Sequence, residues 1–114
     1  VISEKTSEKM KYILNMVVAE GGGKNGQVEG YNIGGKTATS EKLPRGSGKY
    51  ISSYIGFAPA EDPDIIAICI IDEPVGIYYG GTVAAPVISG LYENILPYLG
   101  IKGVEDTGTD ETGN

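Results

Sequence analysis

Three segments with the composition of β-strands follow one another in the middle of this 114-residue chain. Residues 31–40 carry threonines at alternate positions, residues 50–58 alternate two distinct sets of side chains, and residues 65–71 form an unbroken, isoleucine-rich apolar run. Parallel strands need a crossover of about a dozen residues or more, usually helical, and the connections here are short. The sequence therefore predicts an antiparallel meander, with its last strand covered on both faces.

A helix is predicted on each side of these strands, at residues 3–19 and from about residue 82 to residue 99. The apolar residues that define the two helices are Met10, Ile13, Leu14, Val17 and Val18 in the first, and Val83, Val87, Leu91, Ile95 and Leu99, with Ile88 and Leu96, in the second. The fold class is therefore α+β, a helix, a three-stranded antiparallel meander and a helix. Residues 1–101 are expected to form the folded part, and the acidic, Gly- and Thr-rich residues 102–114 a disordered tail.

Composition excludes several classes of function. The net charge is −6 and the basic residues are scattered, so nucleic-acid binding is not expected. The chain has no histidine, which rules out an internal Ser-His-Asp arrangement and a His-ligated metal site. The only cysteine, Cys69, lies within the apolar run and is interpreted as a small buried thiol rather than a nucleophile. No metal or other cofactor is predicted.

The ends and the apolar runs of the sequence bear on its origin. The chain begins at Val1 rather than at methionine, so we expect it to be a segment excised from a longer protein. No apolar run approaches the ~20 residues that span a bilayer. The segment itself is accordingly expected to be soluble and to have no membrane anchor.

Residues 30–42, GYNIGGKTATSEK, match two incompatible motifs. Residues 30–37 have the P-loop pattern G-x-x-x-x-G-K-[ST], and residues 68–73 look like the strand that holds magnesium in such proteins. A P-loop must follow a buried strand and open a helix. Here polar, glycine-rich residues precede the motif, and Pro44 and Gly46 leave little room for a helix after it. Nucleotide binding is therefore a remote alternative.

The second motif is Lys-Thr-Ala-Thr at residues 36–39, one residue different from the K-T-G-T motif of penicillin-interacting serine enzymes. The flanking segments 33–42, 50–60 and 84–87 strengthen this likeness. From about residue 1 to residue 100 the chain resembles the C-terminal third of a class B penicillin-binding protein transpeptidase domain, of the division and sporulation type found in Gram-positive bacteria. The resemblance implies an incomplete portion of the penicillin-binding and serine β-lactamase-like fold.

The resemblance also implies roles for the motif residues. In this family a serine of an S-x-x-K motif is acylated by a peptidoglycan stem peptide or by a β-lactam, and an S-x-N motif assists proton transfer. Lys36 would be the motif lysine beside the cleft, and Thr37 and Thr39 would bind the substrate carboxylate. The Thr39 amide would be one oxyanion donor, so Lys36 and Thr39 are the catalytic candidates. Ala38, where most relatives have glycine, would border the substrate as a tolerated variant.

The chain contains neither of the other two motifs, since no serine has lysine three residues on or asparagine two residues on. Without a nucleophile covalent catalysis has no starting point, so we expect this chain alone neither to transpeptidate nor to bind penicillin covalently. Stem peptides and β-lactams would be partners only of the complete domain, at the outer face of the cytoplasmic membrane in an anchored parent protein. A non-catalytic α+β interaction module with the same fold is the alternative.

A further expectation concerns the sheet. In the family, two N-terminal strands complete a five-stranded sheet, and one of them lies beside the strand that corresponds to residues 65–71. Their absence would leave an apolar strand edge and a helix face exposed. We therefore expect pairing through this edge, either with a second copy or with another chain.

Overall fold

A computed structural model describes residues 1 to 104, so residues 105–114 of the predicted tail lie outside the described part. The elements in chain order are helix α1 (Glu4–Glu20), a 3-10 turn (Lys24–Gly26), strands β1 (Gly34–Glu41), β2 (Tyr50–Ala58) and β3 (Ile65–Asp72), and helices α2 (Gly80–Val83) and α3 (Ala85–Tyr98). The three strands form one antiparallel sheet in the order β1-β2-β3. The predicted α+β meander is confirmed. Within residues 1–104 no helix is both long enough and apolar enough to cross a membrane.

The ladder fixes which backbone groups face the open edges of the sheet. Just beyond the strand ends, the Lys42 N–H donates to the Lys49 carbonyl (2.8 Å) and the Glu73 N–H to the Tyr50 carbonyl (2.8 Å). Directly opposite pairs in an antiparallel ladder alternate between bonded and non-bonded. It follows that the odd-numbered residues of β1 and the even-numbered residues of β3 direct their N–H and C=O groups away from β2.

The core lies between one face of the sheet and helix α3. Ile88, Tyr92 and Leu96 of the helix are buried against Tyr54 and Ala58 of β2. Ile88 and Leu96 belong to the predicted apolar set, whereas Val87, Leu91 and Leu99 of the predicted i+4 stripe are exposed. The orientation seen here lets the Tyr92 hydroxyl donate to the Gly56 carbonyl at 2.6 Å, and a buried phenol needs such a partner.

Ser3 is the N-cap of helix α1, and its hydroxyl oxygen accepts the Thr6 N–H at 3.1 Å. It packs along β1, and the Asn15 side-chain amide donates to the Ile33 carbonyl at 2.9 Å. Only Val18 of its predicted apolar face is fully buried. Residues 31–33 were expected to open the first strand, but pairing starts at Gly34.

Strand β3 is covered on one face only. Ile65, Ala67, Cys69 and Ile71 are half-buried against the core, whereas Ile66, Ile68 and Ile70 on the other face are 64%, 57% and 61% exposed. The expectation that this strand is covered on both faces is therefore wrong for the described chain, because no element within residues 1–104 packs on its second face. The cysteine is free and half-buried.

Candidate functional site: the open edge of β1

The motif residues 36–39 lie at the centre of β1, which is an edge strand of the sheet. Side chains alternate between the two faces of a strand. Thr37 and Thr39 share the face that packs on α2, opposite Tyr54 and Ser52 of β2. Lys36 and Ala38 lie on the other face, opposite Ile55 and Ser53. The lysine and the two threonines can therefore approach one ligand only along the edge of the strand.

Lys36 is exposed, and its ammonium donates to the Thr37 carbonyl at 2.9 Å. Because Thr37 is odd-numbered, that carbonyl points to the open edge, so the lysine side chain folds around the strand to reach it. The other lysine near this strand, Lys42, pairs with Asp72 at 3.1 Å and Glu73 at 3.5 Å, and the hydrogen bond with Asp72 raises its pKa. Within residues 1–104 no carboxylate lies within ion-pair distance of Lys36. Its positive charge is available to a ligand.

Thr39 has one hydrogen bond already in place. Its hydroxyl oxygen accepts the N–H of Gly80, the first residue of α2, at 2.9 Å. Its own backbone N–H points to the open edge by the alternation of the ladder. A ligand lying along β1 would therefore contact the Thr39 amide and the Thr39 hydroxyl, whose orientation is already fixed by the hydrogen bond from Gly80.

The position of Ala38 bears on its departure from glycine. Its methyl group lies on the Lys36 face of β1, on the side of the strand opposite the two threonine hydroxyls. The residue is exposed. The methyl group is therefore directed away from the side chains that would bind a carboxylate.

Two glycines allow the close packing around the motif strand. A Cβ on Gly35 would overlap the Tyr54 hydroxyl, and a Cβ on Gly80 would overlap carbonyl oxygens of Ala38 and Ser53. The backbone at Gly80 consequently lies directly on β1 and β2. Glycine permits this approach because it has no side chain.

Sequence analysis missed the contribution of Ser52 and of the segment 78–80. Ser52 is fully buried directly opposite Thr39, and its hydroxyl donates to the Tyr78 carbonyl. The Tyr78 ring stacks on Tyr50, with centroids 3.8 Å apart and planes within 4°. Tyr79 is more exposed, and its ring lies against that of Tyr78 with centroids 4.6 Å apart. The neighbouring glycines at 80 and 81 were the only sequence signal that this segment touches the sheet.

Comparison with known proteins identifies the family. Residues 1–93 match the model of the penicillin-binding protein transpeptidase domain. The chain belongs to this family. Stage V sporulation protein D of Bacillus subtilis is 49% identical to it in an alignment of 106 positions that covers 90% of this chain and 16% of that protein. A probable peptidoglycan D,D-transpeptidase of Neisseria flavescens is 38% identical in an alignment of 117 positions that covers 96% of this chain and 29% of that protein.

Solved structures of transpeptidase domains have the same fold. The TP domain of penicillin-binding protein 3 from Burkholderia pseudomallei superposes with a TM-score of 0.78 at 34% identity, over 90% of this chain and 32% of that one. The predicted class B transpeptidase resemblance is confirmed. The chain spans less than a third of the length of each of these relatives. It is a fragment of a peptidoglycan D,D-transpeptidase domain.

Proposed function

We propose that this fragment supplies the substrate-binding edge strand of the transpeptidase domain, and that Lys36, Thr37 and Thr39 act there as the K-T-G-T motif acts in the family. The observation that carries the proposal is the open edge of β1, where the Lys36 ammonium, which has no carboxylate partner within residues 1–104, lies beside the outward backbone groups of Thr37 and Thr39. An extended peptide can add to such an edge as a further strand, a recognised form of peptide binding.

The proposed roles follow from this arrangement. The Lys36 ammonium supplies positive charge near the nucleophile and near an anionic substrate. The Thr37 and Thr39 hydroxyls donate to the substrate carboxylate, and such hydrogen bonds to a charged group are the stronger kind. The Thr39 N–H stabilises the oxyanion that develops when the acyl carbonyl is attacked. Ala38 borders the substrate on the Lys36 face of β1, and its methyl group lies on the opposite face from the threonine hydroxyls that bind the carboxylate.

The nucleophile must come from another part of the domain, so the fragment alone is proposed to be inactive. The direct test is gel analysis with a fluorescent penicillin. The matched sample is a chimeric relative, in which this chain replaces the segment of the Bacillus subtilis protein that aligns with it. We expect label on the chimeric relative and none on the isolated chain. Label on the isolated chain would contradict the proposal, as would a folded chimeric relative that remains unlabelled.

The role of Lys36 is tested in the same chimeric relative. Lys36→Ala should slow acylation by about 100-fold or more, the size of effect expected when a positioned charged group is lost from an active site. Lys49→Ala is the matched control, because Lys49 is an exposed lysine whose ion-pair partner is Glu73 at 3.4 Å. Equal acylation rates for the two variants would refute the assignment of Lys36.

The second edge of the sheet is proposed to be the junction with the rest of the parent protein, which would act at the outer face of the cytoplasmic membrane. On β3 the exposed side chains of Ile66, Ile68 and Ile70 belong to the residues whose N–H and C=O groups face outward. Such an edge is a template for another strand. In the isolated chain we propose that a second copy occupies it. Sedimentation at rising concentration should show dimers, and a strictly monomeric, cooperatively folded chain would contradict this.

A further inference from the structure

Two hydrogen bonds attach the segment 78–80 to the motif strand and its neighbour. The Ser52 hydroxyl donates to the Tyr78 carbonyl, and the Gly80 N–H donates to the Thr39 hydroxyl oxygen at 2.9 Å. Thr39 and Ser52 are directly opposite each other across β1 and β2. The two bonds therefore start from one cross-strand pair and hold one short piece of backbone.

The bond from Gly80 determines what the Thr39 hydroxyl can still do. A threonine hydroxyl has one proton to donate and two lone pairs that accept. The Gly80 N–H occupies a lone pair, and no acceptor for the hydroxyl proton is present among residues 1–104. A carboxylate can only accept hydrogen bonds. The hydroxyl is thus held with its proton free for an anionic group.

We propose that Ser52 is a positioning residue for substrate binding. It fixes the Tyr78 carbonyl, this fixes the Gly80 amide, and the amide orients the Thr39 hydroxyl as a donor to the substrate carboxylate. Ser52 is fully buried and acts only through this segment. Ser52 and Thr39 can both bond to the segment 78–80 because the Gly80 backbone packs directly on the strand carbonyls. The inference rests on the proposed role of Thr39 and names the residue that orients it.

The first experiment compares acylation of the chimeric relative by benzylpenicillin and by its methyl ester, which lacks the free carboxylate. The quantity measured is the ratio of the two second-order rate constants. Thr39→Val should lower this ratio by about 10- to 100-fold, the value of a hydrogen bond to a charged group. Ser52→Ala should lower it by about two- to tenfold. In the double variant Ser52→Ala should add nothing, because its effect passes through the threonine.

The outcomes separate the two proposals. If Thr39→Val leaves the ratio unchanged, the proposed function of Thr39 fails. If Thr39→Val lowers the ratio but Ser52→Ala slows the acid and the ester equally, Ser52 is merely structural and the further inference fails alone. Ser53→Ala is the matched control, since Ser53 is the next residue of β2 and lies on the opposite face. It should leave the ratio unchanged.

The second experiment uses the chain as it stands and does not depend on catalysis. Hydrogen exchange of the Gly80 amide is followed by NMR in the ¹⁵N-labelled protein. Thr39→Val removes the acceptor of that amide, and its exchange should accelerate about tenfold or more. Ser52→Ala should accelerate it about two- to tenfold, and Ser53→Ala should not. Unchanged exchange of Gly80 in Ser52→Ala would overturn the proposed connection between Ser52 and Thr39.

Discussion

Two fully buried tyrosines in the same core differ in one respect that mutation can isolate. The Tyr92 hydroxyl donates to the Gly56 carbonyl at 2.6 Å, whereas the Tyr54 hydroxyl has no hydrogen-bond partner among residues 1–104. The Tyr54 hydroxyl is instead enclosed by the backbones of Gly26 and Gly35, where a Cβ would overlap it. Removing the hydroxyl oxygen should therefore have opposite effects at the two positions.

The expected magnitudes follow from the cost of an unmade hydrogen bond. A buried, unpaired polar group costs about 1–3 kcal/mol. Tyr54→Phe removes such a group and leaves a void of one oxygen atom, so the free energy of unfolding should stay equal or rise by up to about 2 kcal/mol. Tyr92→Phe removes a buried hydrogen bond to the Gly56 carbonyl, so the free energy of unfolding should fall by about 0.5–1.5 kcal/mol.

The measurement is urea unfolding followed by circular dichroism, with the slope of the transition checked for each variant. A marginal stability of about 5–15 kcal/mol makes a difference of this size easy to resolve. Each tyrosine serves as the control for the other, since both are fully buried in one cluster. If Tyr54→Phe lowers the free energy of unfolding by about 1 kcal/mol or more, which is roughly the value of one hydrogen bond, the Tyr54 hydroxyl has a partner and the reasoning is wrong.

Three other predictions follow from the same packing. Burial raises the pKa of both Tyr54 and Tyr92 to about 12, whereas tyrosines of the unfolded chain have a pKa near 10. The free energy of unfolding should therefore be constant below about pH 10 and fall by up to about 1.4 kcal/mol per pH unit for each tyrosine as the pH rises toward about 12. Urea midpoints that stay constant from about pH 9 to about pH 11.5 would contradict this prediction. Gly80→Ala should lower the free energy of unfolding by about 1–3 kcal/mol, because the new methyl group overlaps strand carbonyls. Gly90→Ala, in the middle of α3, should raise the free energy of unfolding by about 0.5–1 kcal/mol, because nothing outside the helix lies within 4 Å of the new methyl group. Thermal melts of the two variants test both signs. Ile68→Lys should weaken self-association about tenfold or more in sedimentation, because a charged strand edge resists pairing. The melting temperature of the monomer should stay constant, because the side chain of Ile68 is exposed.

Local patterns were sufficient to predict the order and type of the main elements. Alternation in residues 50–58 predicted β2 with its observed ends, and the apolar run predicted β3 to within one residue. The helices were harder to orient than to find. The i+4 stripe that begins at Val83 was interpreted as the buried face of the second helix. In the structure the neighbouring stripe is buried, because Ile88 packs on the sheet and Tyr92 donates a hydrogen bond to β2. Periodicity cannot distinguish two adjacent apolar stripes on one helix.

The covering of β3 shows a different kind of failure. A continuous run of β-branched residues is typical of a strand buried on both faces. The described chain contains nothing to cover Ile66, Ile68 and Ile70, and it spans less than a third of each relative that we compared. Hydrophobicity indicates the environment that suits a residue, but it does not show whether the same chain provides that environment.

The candidate site combines short-range and long-range information. The tetrad Lys36-Thr37-Ala38-Thr39 was visible in the sequence, but adjacent strand residues point to opposite faces, so Lys36 and the threonines would be separated by the sheet if β1 had a neighbour on each side. Only at an edge can one extended ligand meet the lysine, the hydroxyls and the outward Thr39 amide together. The place of β1 at the edge follows from the order β1-β2-β3 of the meander, in which β1 is paired on one side only, and the contact of Gly80 with Thr39 spans 41 positions. The motif was therefore visible as a local pattern, whereas the edge position that would let its members meet one ligand is a property of the folded sheet.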